Sequence, residues 1–594
     1  MRLARIIMVT LLILGMNGPI TAQQDRVESQ PVVGDVAFVN VNLIRMNDER
    51  IEPGQTVIVR GNRITAIGVS PEIQIPQGAI VIDGSGRYLV PGLTDAHVHL
   101  TTDMPWAPAR PDFGDAPLYL AYGVTSVINL RGSITQLEWR RRIKEGELLG
   151  PTIYSSGEFI NEPRVNTVEE VVQEISAQLR AGYDVIKFHE VWTPEAGFLT
   201  TTGLSREAYL KMNDMAREVG IPLVGHAPVN LDLETLLLAR QPLAHLGMLS
   251  NIHFLPLASN LAWLTATAAG LVFLTIIVLT NGIAAITRRF RSTAPPPPRR
   301  LTRIRRYSTL AWLAGLLAGV SAALFLPGGP LFESTALRLA FTLLIFVLAA
   351  ASVIMLILTA TMWRDTGTPI LSNCQATLAS VSSLVVVVAG LTFWVPIAWR
   401  SSDGGIERLA ERVYDADIPV QSTLVAYEAI GGPGRSRLTE DPMIAYLNGE
   451  TREIWSRVAQ RTGPPGYRYT DFMKKVANAL HRAGVPLMAG TDAMGLSLVT
   501  PGSSLHYELE LLVDSGLTPY EAIRSATVVP AWFLGKQNEF GSITTGSRAD
   551  LLLIEENPLE DVTRLRRPIG VMVRGKWFTR EQLEEMLTDL TEER

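Results

Sequence analysis

Two histidines set two residues apart are the first chemistry this chain offers. The string Pro91-Gly92-Leu93-Thr94-Asp95-Ala96-His97-Val98-His99-Leu100 comes after a strand-like run at Tyr88–Val90. Alternate residues of a strand face the same way. His97 and His99 can thus reach one metal ion together. Imidazoles and carboxylate-type oxygens suit zinc-like divalent ions. A lone His-x-His pair is a weak signal, because such pairs arise by chance. Its weight depends on the elements around it and on what they bring alongside.

Those elements read as strands and helices in alternation. Residues 31–90 form short strands: Val36–Leu43 and Val57–Gly68 are rich in Val and Ile, with Gly61-Asn62 at a tight turn. A similar pattern returns at Ile543–Leu553 and Ile569–Arg574. The two ends can therefore pair into one small β-sandwich. Between them Val124–Leu130, Asp184–Phe188, Ile221–Val224 and Val485–Ala489 read as strands. Thr167-x-x-Glu170 is a capping box, and Thr518-Pro519-x-Glu521 is a second with Pro at the first helical position. Such alternation implies a parallel sheet, open or closed. The last segment, Thr579 to Arg594, carries Leu583, Met586, Leu587 and Leu590 at the spacing of a surface helix.

The middle of the chain is different. Of the 594 residues 47% are hydrophobic, high for a soluble enzyme, and the excess is concentrated. Four long apolar stretches lie at about 261–285, 309–327, 339–363 and 374–399. Each is long enough to cross a hydrocarbon core, which takes roughly 20 residues. Pro396 is tolerable in such a helix. Between the first two lie Arg288, Arg289, Arg291, Arg299, Arg300, Arg303, Arg305 and Arg306 around the run Pro295–Pro298. Arginine concentrated in a short loop marks the cytoplasmic side. The connection Pro327–Ala336 carries no Lys or Arg. The N-terminus agrees with that topology. Arg2 and Arg5, the apolar Ile6–Met16 and a small-residue segment ending at Ala22 read as a signal peptide that exports residues 23–260. The lone Cys374 rules out an internal disulfide. A net charge of −5 gives no reason to expect nucleic acid.

Taken with its setting, the whole string around His97 and His99 resembles the first-strand motif of the amidohydrolase superfamily, closest to its prolidase-like and imidazolonepropionase-like members. The resemblance implies further ligands in chain order. A lysine on strand four is met by Lys187 in Asp184-Val185-Ile186-Lys187-Phe188. Histidines ending strands five and six are met by His226 and His245. An aspartate ending strand eight is met by Asp492 in Gly490-Thr491-Asp492-Ala493. The string Gly541-x-Ile543-x-x-Gly546-x-x-Ala549-Asp550-Leu551 looks like the family's C-terminal strand signature. The expected architecture is an α/β fold: a (β/α)₈ TIM barrel, a small β-sandwich from both chain ends, and an inserted α-helical transmembrane domain. Its segments are a signal peptide at 1–22, the sandwich at 23–90 and 541–594 (the latter with the terminal helix), the barrel at 91–250 and 406–540, and four membrane helices within 251–405.

The resemblance also implies a chemistry. Two divalent ions, zinc by type, would be held by His97, His99, Lys187, His226, His245 and Asp492. An ammonium binds no metal, but in a dry cationic site the neutral amine of Lys187 can take up CO₂ as a bridging carbamate. Two ions sharing a hydroxide lower its pKa toward about 7. That hydroxide attacks the scissile carbonyl, and Asp492 carries the proton to the leaving amine. His189, His506 and Arg131 are candidate substrate contacts, while His253 and His481 read as structural. A mononuclear deaminase of the same superfamily is the nearest alternative. Deaminases carry a His-x-x-Glu pair, whereas Ala227-Pro228-Val229 comes after His226. A non-catalytic membrane sensor or transport module is another, against which the full ligand set argues. The insertion leaves the barrel after strand six, on the face where such barrels carry their sites. About 15 residues from His245 to the first span reach at most roughly 50 Å. The mouth therefore faces the outer leaflet of a bacterial inner membrane, from the periplasmic side. The substrate is a small amide or peptide, either soluble or lipid-linked; the oligomeric state stays open.

Overall fold

The computed structural model describes residues 34–100, 112–161, 163–190, 203–254, 256, 261–290, 299–323, 334–365, 368–460 and 469–592. The signal peptide expected at 1–22 lies outside the described residues.

The two chain ends do meet. β1 (Val36–Leu43), β2 (Glu52–Arg60), β3 (Arg63–Val69), β4 (Ile80–Asp83) and β5 (Tyr88–Pro91) join β13 (Leu551–Ile554), β14 (Gly570–Val573) and β15 (Lys576–Thr579). They form one eight-stranded sheet, ordered β15-β14-β13-β5-β1-β2-β3 with β4 beside β1. The expected sandwich of two sheets is thus a single sheet. It does the work of two layers by curling. Phe38 on β1 and Trp577 on β15 meet edge to face with ring centroids 5.2 Å apart. A flat sheet with three strands between them would hold them roughly 19 Å apart at 4.8 Å per strand. Alternation sets the two faces. Leu551 and Leu553 join Val36, Phe38 and Val57 inside the curl. Leu552 and Ile554 join the main core instead. β13 is therefore covered on both sides, and its sequence is apolar throughout.

The part that carries the candidate ligands is built from short parallel ladders. β6 (Leu93–Val98), β7 (Val124–Asn129) and β8 (Thr152–Ser155) form one, β9 (Ile186–Phe188) and β10 (Leu223–Gly225) a second, β11 (Val420–Gln421) and β12 (Leu487–Met488) a third. None of these sheets is closed. Isolated parallel bridges link them in chain order: Ser156 to Val185, Gly225 to Leu243, Leu243 to Val420, and Val98 to Ala493. The Ala96 N–H also donates to the Ala489 carbonyl at 3.0 Å, and that of Asp492 to the His97 carbonyl at 2.8 Å. The helices between obey their sequence signals. Both capping boxes form, at Thr167/Glu170 and Thr518/Glu521. The terminal helix Arg580–Glu592 buries Leu583, Met586, Leu587 and Leu590.

Among the described residues, three helical stretches in the insertion are long and apolar enough to cross a membrane: Thr265–Thr287, Thr335–Trp363 and Ile370–Arg400. The remaining apolar stretch, 309–327, begins within the helix Arg299–Ala323, and its last residues lie outside the described ones. Large apolar side chains such as Leu279, Ile283, Leu343 and Ile357 point outward. Inside the bundle the contacts are close. A Cβ on Gly270 would lie 2.6 Å from Val386 Cγ2, so glycine there lets two helices approach. The Trp312 indole donates to Thr275 Oγ1 at 2.8 Å, and Thr359 meets Ser380 at 3.0 Å. The insertion is not loosely hung. Phe254, Phe341, Ile345 and Ala398 belong to the same core cluster as Leu243, Ile406 and Leu424 of the ladder-bearing part. Arg400, at the end of the last apolar helix, donates to the His253 carbonyl at 3.0 Å near the start of the first.

Candidate metal centre

Every expected ligand lies in or just past a strand of the parallel ladders. His97 is in β6, all of whose residues are buried, and His99 comes directly after it. Lys187 is central in β9. His226 succeeds β10, His245 lies two residues past the bridge at Leu243, and Asp492 stands just beyond β12. The carboxyl ends of parallel strands are where α/β folds carry their sites. His245 and Asp492 adopt left-handed backbone, φ 65° and 63°, which non-glycine residues rarely do. That turn points both side chains back toward β6.

The six side chains converge. His97, His245 and Asp492 each offer a ligand atom, all within 4.8 Å of one another. Asp492 Oδ1 lies 3.0 Å from His99 Nε2 and 3.6 Å from His97 Nε2. The His245 ring stands 4.3 Å from that of His97 and 5.0 Å from that of His226. Burial pulls the Lys187 amine down to about 7 against the attraction of Asp492. Burial, then the neighbouring cations, also hold His97 and His226 well below the usual imidazole range. For Asp492 burial acts upward, but the hydrogen bond from His99 and the nearby His245 outweigh it and keep the carboxyl low.

The donor set fits a divalent ion. His97 Nε2, His99 Nδ1 and Lys187 Nζ are buried polar atoms with no hydrogen-bond partner. An orphaned buried polar group costs about 1–3 kcal/mol; a cation would remove that cost at the two imidazole nitrogens, and at Lys187 only with the amine neutral or converted to an anionic ligand. The tautomers are arranged to suit. The Gln421 amide donates to the Ala96 carbonyl at 2.6 Å, which leaves Oε1 to accept from His97 Nδ1 at 2.9 Å. His226 Nδ1 donates to the Glu190 carbonyl at 3.0 Å. His245 Nδ1 meets Thr423 Oγ1 at 3.0 Å. His97 and His226 therefore keep an Nε2 lone pair for the centre, the arrangement by which outer partners fix ligating histidines. Gln421→Leu is expected to weaken divalent-ion binding about 10–100-fold. Competition with a chromophoric chelator reads this directly, and an unchanged affinity would deny Gln421 that role.

The candidate substrate contacts part company. His189 belongs to the cluster: its ring is 4.3 Å from that of His226 and stacks on Phe159 at 4.2 Å. Arg131 continues that stack, its guanidinium 5.5 Å from the Phe159 ring centroid, and no carboxylate pairs with it among the described residues. His506 is turned elsewhere. Its Nε2 faces the Tyr122 carbonyl at 2.8 Å and its ring lies 5.6 Å from that of Tyr122, so the buried imidazole packs one helix onto another. His253 and His481 also stay outside the cluster, the latter paired with Glu521 at 3.1 Å.

Several supporting residues carried no signal in the sequence. Asp95 accepts from the backbone of His97 and Thr491 and from the Thr491 hydroxyl, tying β6 to the Asp492 turn. Burial raises it to about 7. It stood in plain view inside the His97 string, but nothing local gave it a role. Gln421 and Thr423 had not even that.

Residues 468–578, which include Asp492, match the model of the amidohydrolase family. The chain is 32% identical over 128 residues to ochratoxinase of Aspergillus niger, 21% of this chain and 24% of that protein. It is 27% identical over 190 residues to an adenine deaminase of Rubrobacter xylanophilus, 26% of this chain and 31% of that protein. These alignments span about a quarter to a third of the curated relatives' lengths. Among solved structures, a Xaa-Pro dipeptidase with bound methionine shares the fold at TM-score 0.51 and 15% identity, across 92% of this chain and 100% of that one.

Proposed function

We propose that this chain, an amidohydrolase-superfamily sequence through residues 468–578, hydrolyses a C–N amide bond at a divalent-metal centre beside a membrane. One observation carries the reading: His97, His245 and Asp492, from three distant segments, bring ligand atoms within 4.8 Å of one another, while the buried His97 Nε2, His99 Nδ1 and Lys187 Nζ are left unpartnered by the protein. The bridged ladders are read as one (β/α)₈ barrel. His97, His99, His226, His245 and Asp492 would hold the ions, and Lys187 would join them as an anionic ligand if carboxylated. Ions bound there, zinc by ligand type, would polarise the scissile carbonyl and acidify the attacking water. The protein's own residues do the rest. Asp492, low in pKa and against the histidines, accepts the proton and returns it to the leaving nitrogen. Gln421 and the Glu190 carbonyl hold the imidazoles in one tautomer. His189 lines the wall, and Arg131 offers its cation to a substrate carboxylate.

The substrate class that suits these parts is an N-acyl amino acid, a dipeptide or a lipid-linked amide, taken from the outer leaflet. The positive loop 288–306 and the apolar helices support a multi-pass inner-membrane topology with the catalytic part outside. The experiment is metal content per chain of detergent-purified protein, with hydrolysis of N-acyl amino acids and Xaa-Pro dipeptides. Two ions per chain and release of free amino acid are the expected result. One ion, with ammonia as product, would favour the deaminase reading that the adenine deaminase likeness raises. No ion, even with zinc and bicarbonate supplied, would move the chain to the binding-module reading. Arg131→Met should raise KM about 10–100-fold for substrates with a free carboxylate, the range of a charged hydrogen bond. The matching methyl esters should be unaffected; an equal loss on both would deny the contact.

A further inference from the structure

We infer that Glu508 is a positioning residue for the metal centre, clamping the turn after β11 from which Gln421 and Thr423 hold two of the ligating histidines. The inference rests on the metal-centre reading and deepens it. Glu508 is fully buried on the helix Ser503–Asp514, which comes after the Asp492 turn in the chain. One of its carboxylate oxygens accepts from the Ser422 hydroxyl. The other accepts from the Val425 N–H at 2.7 Å. Those two donors bracket Thr423, whose φ is 46°. A β-branched residue rarely adopts left-handed backbone, and such a conformation persists only where its surroundings over-determine it. Glu508 is what over-determines it here.

The conformation has a purpose that the distances show. It turns Thr423 Oγ1 onto His245 Nδ1 at 3.0 Å. On the other side of Ser422, Gln421 bonds His97 Nδ1 at 2.9 Å. The same carboxylate thus acts on both histidines through the backbone of the turn it clamps, whose residues Gln421 and Thr423 make the contacts. Glu508 itself touches neither histidine. A buried carboxylate kept solely to finish a turn would be a costly choice, because its desolvation is large and a neutral group could serve the packing. What a carboxylate adds is two acceptors at fixed separation, which pin the turn at Ser422 and Val425 together.

The test uses the full-length protein in detergent and reads zinc dissociation by chelator competition, with circular dichroism as the check on folding. Glu508→Ala is expected to weaken zinc binding about 10–100-fold, the range for loss of an outer partner. Glu508→Gln keeps one acceptor for Val425 and loses the other, so its zinc affinity should fall between those of Glu508→Ala and wild type. Thr423→Gly removes the hydroxyl while accepting the left-handed backbone, so it should fold and still bind zinc weakly. The double variant E508A/T423G should lose less than the two single losses combined, since Glu508 acts in part through Thr423. Full additivity, or wild-type affinity in Glu508→Ala, overturns the proposal. If Glu508→Ala does not fold, wild-type zinc affinity in Thr423→Gly overturns it instead. A wild-type protein that binds no zinc overturns the metal-centre reading, and this one with it.

Discussion

Asp492→Asn is expected to lower kcat/KM for amide hydrolysis by about 10²–10⁴-fold without disturbing the fold. The amide is isosteric, and asparagine tolerates the left-handed backbone that residue 492 adopts at φ 63°. What it cannot do is accept the proton that must pass from water to the leaving nitrogen. It also removes a charged oxygen that faces both His97 and His99. Part of the loss could therefore arise from weaker metal binding, and the two causes separate by measurement. Rates are taken with zinc raised until they no longer change, and bound metal is counted at that point. A rate that stays low with metal fully loaded assigns proton transfer to Asp492. A rate restored by added zinc would make Asp492 a ligand alone and return the search for a base to His189 and His99.

The parts of this centre that the sequence revealed are those written in short strings. His97 and His99 are readable because a strand of period two puts neighbours-but-one on one face. His226 and Asp492 come after short apolar runs that read as strands, while His245 has no such run, and all three became candidate ligands through the resemblance that the His97 string carries. The parts that stayed hidden depend on contacts between distant segments. Gln421 reaches His97 across 324 residues of chain. Glu508 reaches Val425 across 83. No local pattern marks either, since a glutamine in a two-residue strand and a glutamate in an apolar helix have many bland explanations. His506 shows the converse. It lay near the Asp492 string, but helix geometry turned it toward Tyr122. The sheet shows the same division. Alternating apolar residues announced strands at both ends of the chain, while the curl that brings Phe38 to Trp577 is a property of the assembled sheet.

Replacing residues 255–402 by a short linker is expected to unfold the catalytic part rather than release a soluble enzyme. The insertion and the parallel ladders share one apolar core, in which Phe341 and Ile345 of a membrane-type helix pack with Phe254, Ala398 and Ile406. Burying a large apolar side chain contributes about 1.5–3 kcal/mol. Losing Phe341 and Ile345 alone removes about 3–6 kcal/mol, up to the lower end of a small domain's whole margin of about 5–15 kcal/mol. The damage would fall close to the metal centre. Gly247, two residues past His245, donates to the Tyr427 hydroxyl at 2.5 Å, while the Tyr469 hydroxyl donates to the Gly247 carbonyl at 3.2 Å. That loop runs directly into His253, which Arg400 ties to the end of the last apolar helix. Cutting both ends of the insertion frees the segment that sets the His245 backbone. The deletion variant is therefore expected in inclusion bodies, or soluble with zinc binding lost. A soluble, monomeric variant with wild-type zinc content would show that the helices only tether. In that case activity on soluble and lipid-linked amides could be compared with and without the membrane. With the core shared as it is, the comparison has to be made on the intact chain, by presenting one N-acyl amino acid in micelles and in solution.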